Sequence, residues 1–148
     1  MKIKQLLEIL SPFLDINKYD LFAGIEEMKV LGFNIINFVL DLGQDVEHAL
    51  LSLKYTISTD ELEPIAVVIQ PKYEKIRELN LDKVLRLIYS YGGYIYGGQE
   101  RIGFLIPIQE ENLSQVFLEI MPKIIEVLLG YSIKPRIIGY TLNFYQEI

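Results

Sequence analysis

The chain has no cysteine, no tryptophan and a single histidine in 148 residues. Without thiols there is no cysteine nucleophile, no thiolate metal site and no disulfide framework. Basic residues are scarce as well. Fourteen Lys and Arg against 20 Asp and Glu leave a net charge of −6 and a pI near 4.8. That balance argues against nucleic acid as a main partner. No window approaches eighteen consecutive apolar residues, so no membrane span is expected. The opening MKIKQLLEILSPF carries two lysines. Glu8 interrupts its apolar run and no small-residue cleavage site follows, so a cytoplasmic protein without a leader is expected. What the chain does have is apolar substance. Hydrophobic residues make up 51% and the mean hydropathy is +0.25, which excludes disorder and suffices for one buried core.

Ile3, Leu6, Leu7, Leu10 and Leu14 fall at helical spacing over residues 3–14, with Pro12 limiting the end. A second helix is predicted over 18–31, stopped by Gly32. The run 34–42 is nearly continuous in β-branched and aromatic residues, the pattern of a strand buried on both faces. Asp45 then opens a predicted helix over 45–57 carrying Val46, Ala49, Leu50 and Leu53. The polar segment 58–64 is the best internal boundary, dividing a single domain, 1–148, into an extension (1–63) and a core (64–148).

In the core, 65–71 reads as a strand and 72–91 as a helix in two pieces, with Asn80 capping the second at Leu81. Residues 94–96 and 101–108 read as an antiparallel hairpin around Gly97-Gly98. A helix over 111–129 contains Pro122, which should kink it or break one hydrogen bond. Residues 136–145 alternate as a last strand. Strand, helix, strand, strand, helix, strand is the ferredoxin-like βαββαβ order. The expected class is therefore α+β: an antiparallel sheet with helices on one face, an N-terminal helical extension and one extra strand, 34–42, at the sheet edge.

The turn YGGQER, Tyr96 to Arg101, is the most suggestive motif. The string YIYGGQERIGFLIPIQEENLSQVFLEIMPKI resembles the hairpin and following helix of GGDEF-type nucleotidyl cyclase domains. Gln70 to Asn80 also fits, with Tyr73, Lys75 and Ile76 at the family's spacing, and the predicted helix at 45–57 is placed as in such domains. The likeness spans roughly residues 45–130. Palm-type catalysis needs carboxylates on the first strand and on the hairpin to hold two divalent cations. By this resemblance the first pair falls on Ile69 and Pro71, and Gln99 replaces the hairpin aspartate, leaving only Glu100. The resemblance therefore implies a degenerate palm domain with no catalytic residues and no cofactor. Gly97, Gly98, Gln99, Glu100, Arg101 and Lys72 are left as candidate contacts for a nucleotide. The ordinary alternative is a hairpin using glycine for positive φ.

Two further features stand out. Asp41, Asp45, Glu47 and His48 gather at a predicted strand-to-helix junction, where Asp41 and Asp45 are candidate ligands for a hard cation. Tyrosines 89, 91, 94, 96, 140 and 145 supply polar-tipped aromatics suited to an interface, with Tyr94, Tyr96 and Tyr140 the leading candidates. The serines lack a nucleophile-elbow context. The expected function is a non-catalytic binding or interaction module, homo-oligomeric through its sheet or tyrosine surface. The alternatives are a nucleotide-binding or nucleotidyl-transfer palm domain and an ACT-like small-ligand regulatory domain, the last by fold analogy alone.

Overall fold

The computed structural model describes residues 1–76 and 78–144, the side chains of residues 78 and 79 excepted. Helix α1 (Ile3–Leu10) ends where Pro12 enters, and the chain tightens into a 3₁₀ turn over Ser11–Phe13. Helix α2 (Lys18–Leu31) is capped by Asn17, whose Oδ1 accepts the Tyr19 backbone N–H at 2.8 Å. It stops at Gly32, φ +80°. Two strands follow, β1 (Ile35–Asp41) and β2 (Val46–Thr56). Beyond them come β3 (Glu61–Pro71), α3 (Glu78–Ser90) and the hairpin strands β4 (Tyr94–Gly98) and β5 (Arg101–Pro107). Helices α4 (Leu113–Gln115) and α5 (Met121–Leu129) precede β6 (Arg136–Asn143).

The six strands form one antiparallel sheet in the order β4-β5-β3-β2-β1-β6. From β3 onward the chain runs strand, helix, strand, strand, helix, strand, so the architecture is α+β and ferredoxin-like. The β1–β2 hairpin stands between β3 and β6, the pair that would be neighbours in a four-stranded version. Two added strands keep β3 and β6 antiparallel, so the hairpin widens the sheet without changing its sense. Strand β1 is thus an interior strand with a partner on each side, not an edge strand.

Residues 45–57 depart furthest from expectation: they are strand β2, and no helix forms there. Val46, Ala49, Leu50 and Leu53 do meet helical spacing. The same segment also alternates Ala49, Leu51, Leu53 and Tyr55, and these four are the buried ones. Pairing with β1 on one side and β3 on the other decided between the two periods. The helix that the GGDEF resemblance places here is consequently a strand. The polar segment 58–64 forms the β2–β3 hairpin tip and the start of β3.

One smaller correction, at Asn80, and one detail, at Pro122, have local causes. Asn80 caps no new helix; it lies inside α3 and donates from Nδ2 to the Leu128 carbonyl at 3.2 Å, pinning the end of α5. Pro122 cannot donate to the carbonyl four residues back. The preceding turn widens into a π-helical stretch, Val116–Ile120, in place of a sharp kink.

One side of the sheet carries the core. Ile36, Phe38, Leu51, Leu53, Val67, Ile69, Phe104 and Ile106 point toward the helices and meet Leu6, Leu10, Leu21, Met28, Val84 and Ile124. Stacking of Phe13 on Phe117, centroids 4.5 Å apart, joins the N-terminal segment to the C-terminal helices.

Candidate functional site

The candidate cation and nucleotide residues singled out in the sequence fall at one end of the sheet. There β1 ends, β2 begins, β3 ends and the β4–β5 hairpin turns. Asp41 closes β1, Asp45 precedes β2, and Lys72 follows β3, its N–H donating to the Asp45 carbonyl at 2.8 Å. The turn at Gln99 and Glu100 joins Gly98 to its cross-strand partner Arg101. From β1 to this hairpin is three strand spacings, roughly 14 Å, so Asp41 and Glu100 cannot share one ion.

The two aspartates are engaged by the chain itself. Asp41 Oδ1 accepts the Gly43 N–H at 2.9 Å, and Oδ2 accepts Arg136 Nη2 at 3.1 Å. The Gly43 hydrogen bond, then the Arg136 guanidinium, hold its carboxyl below the usual aspartate range against some desolvation. Arg136 Nη1 also reaches Asp15 at 3.0 Å. Asp45 faces Lys75 at 3.9 Å. His48 is exposed on β2. Among the described residues no group of three or more His, Asp or Glu could hold a metal ion.

Glu100 takes φ +61°, a left-handed conformation unusual for a residue with a side chain. With Gly97 at φ +140°, the turn satisfies its own geometry. Arg101, Gln99, Gly97 and Gly98 are all exposed at its tip.

The tyrosine candidates divide. Tyr94 and Tyr96 stand on the sheet face away from the helices, 49% and 40% exposed. Burial pushes the Tyr96 hydroxyl up, and Tyr94 beside it adds to the rise. Tyr140 is on the opposite side, its ring against Gly24 of α2 and its hydroxyl donating to the Asp20 carbonyl at 3.2 Å. The structure does not bring it together with the other two. Tyr89 is exposed and Tyr91 half-buried at the end of α3, while Tyr145 lies outside the described residues.

The face carrying Tyr94 and Tyr96 is the most extended feature of the molecule. Register places Tyr94 beside Leu105, Leu105 beside Val68, Val68 beside Leu50, Leu50 beside Val39, and Val39 beside Gly139. One apolar row thus crosses all six strands, with Ile138 at its β6 end, 47% exposed. The adjoining row is Pro107, Ala66, Ser52, Asn37 and Thr141. Asn37, 8% exposed, is satisfied by the Ser52 hydroxyl across the strand pair. Neither row carries a charge. Leu50, Val39 and Ile138 escaped sequence reasoning because the row exists only once β2 is a strand. The signal that would have found it is the alternation of Ala49, Leu51, Leu53 and Tyr55.

Among the described residues no helix is long and apolar enough to cross a membrane. No protein family, curated protein or solved structure matches this chain.

Proposed function

We infer that this chain is a non-catalytic interaction module that pairs with a second copy of itself through the open face of its sheet. The observation that carries this is the uncharged row from Tyr94 to Gly139, partly exposed across six strands in a chain that is 23% charged. Interface cores are depleted in charge and enriched in tyrosine. Six strands about 4.8 Å apart, each about five residues long, give a plan area of roughly 500 Å². Side-chain relief brings that close to the ~800 Å² that each partner buries in a stable interface. The centre of this face, unlike the Lys54–Glu63 pair in the row beyond it, has no sign to match on a charged partner. It also meets its own copy without the repulsion that net −6 imposes elsewhere, in the self-complementary manner of a twofold dimer.

The open turn at Gly97 to Arg101 and the engaged Asp41 and Asp45 supply no convergent catalytic set, which supports a binding role over a chemical one. Multi-angle light scattering across a concentration series tests the reading. A dimer in the wild type that becomes a monomer in Val68→Lys supports it, and a monomer at every concentration overturns it.

A further inference from the structure

A cleft of about 770 Å³ opens on the helical side of the molecule, between α1 and α2. Ile3 and Leu7 form one wall, Phe22 and Ile25 the other. Leu7 and Ile25 are buried in its floor, whereas Phe22 is 47% exposed. One end is closed by contacts within the chain. Lys29 reaches Asp60 at 3.1 Å and Glu26 at 3.5 Å, Tyr55 donates to Asp60 at 2.7 Å, and Lys2 faces Glu61 at 3.8 Å.

Two cations remain. Lys4 on the α1 wall and Lys18 on the α2 wall have no acid within 4 Å among the described residues. Each sits in the first turn of its helix, where the backbone dipole is already positive, and Asp20 is the only acid in either first turn. Four of the chain's 14 cations line the cleft, but only three of its 20 acids. With Glu61 at the closed end the charges balance in number, and what marks the apolar slot is that two of its cations, Lys4 and Lys18, are unpaired among the described residues against one acid, Glu8.

We propose that the cleft binds a small amphiphilic anion, its apolar part against Leu7, Phe22 and Ile25 and its carboxylate held by Lys4 and Lys18. The volume lies within the roughly 300–1,000 Å³ of small-molecule sites. Helix α1, eight residues long, gives a wall of only about 12 Å, which suits one small molecule better than a docked helix. Glu8, on the α1 wall, is the one unpaired acid the carboxylate must avoid. The site is on the other side of the sheet from the proposed dimer face and stands independently of it.

Isothermal titration of the full chain with octanoate, octanol and octylammonium tests the proposal. Octanoate is expected to bind one per chain, with octylammonium at least about tenfold weaker, as loss of a charge-assisted contact gives. Lys4→Ala/Lys18→Ala, both exposed positions, should weaken octanoate by about tenfold and erase its advantage over octanol. Phe22→Ala should weaken octanoate and octanol alike. No octanoate binding, equal binding of octylammonium, or an octanoate preference that survives the double lysine variant would overturn the proposal. So would binding of phosphatidylglycerol vesicles without binding of octanoate, which would assign the cleft to a lipid surface.

Discussion

Tyr96 of β4 lies across Gly103 of β5, its ring filling the space a β-carbon on Gly103 would need. The two are direct cross-strand partners on the open face, and Gly103 is buried with that ring against it. Glycine here lets an aromatic lie flat on the sheet. Gly103→Ala should displace the ring and destabilise the chain by about 1–3 kcal/mol, the usual range for overpacking. Urea denaturation measures it. Tyr96→Ala/Gly103→Ala should recover part of the loss, because the clash needs both partners.

Leu50 and Leu51 are neighbours in β2 with opposite fates. Leu51 is fully buried against the helices, and Leu50 lies in the apolar row of the open face. Leu51→Ala should cost about 2–5 kcal/mol in denaturation experiments. Leu50→Lys should change stability by no more than about 1 kcal/mol, the behaviour of surface substitutions, while removing self-association. Equal destabilisation by both substitutions would contradict the strand assignment.

Asp41 gives a pH dependence with a definite sign. Its folded-state carboxyl is held below the ordinary value of 3.8, first by the Gly43 N–H and then by Arg136. A depressed carboxylate contributes stability that is whole above that ordinary value and is lost as pH falls through it toward the lower folded value. Asp41→Asn should therefore flatten this part of the acid limb of a stability-against-pH curve. Arg136→Ala should also flatten it, because the guanidinium both donates to the carboxylate and attracts its charge while desolvation opposes the Gly43 hydrogen bond. An acid limb unchanged by both substitutions would contradict this account.

Glu100 holds φ +61° at the hairpin turn, and among the described residues its side chain makes no hydrogen bond or ion pair. A left-handed conformation costs an L-residue roughly 1–2 kcal/mol, and glycine avoids that at some entropic cost of its own. Glu100→Gly should stabilise the chain by about 1 kcal/mol in thermal or urea unfolding. A loss of stability would instead mean that the glutamate side chain is engaged.

The β4–β5 hairpin was legible in the sequence because its signals are local: a Gly-Gly turn, and alternation of Ile102, Phe104 and Ile106. Segment 45–57 was not. Alanine and leucine form helices readily, and Val46, Ala49, Leu50 and Leu53 satisfied that period. What settled the matter was hydrogen bonding to Ile35–Val39 on one side and to Glu61–Pro71 on the other, which no short window contains. The same limit applies to the site. Tyr94 and Tyr96 could be picked out individually, but the row joining Tyr94 to Val39 depends on register across five strands. Tyr140 carries the same alternating pattern and faces inward, because the irregularity of β6 against Val39 and Leu40 resets which residues meet the helices.

The proposed pairing covers the uncharged centre of the open sheet face with a second copy. The chain has no native cysteine, so a nitroxide attached at Thr141→Cys, exposed on that face, reports on it alone. Pulsed electron–electron resonance should then show one well-defined distance between labels on two chains, lost when Val68→Lys is added. Labels that show no defined partner distance at any protein concentration would contradict it.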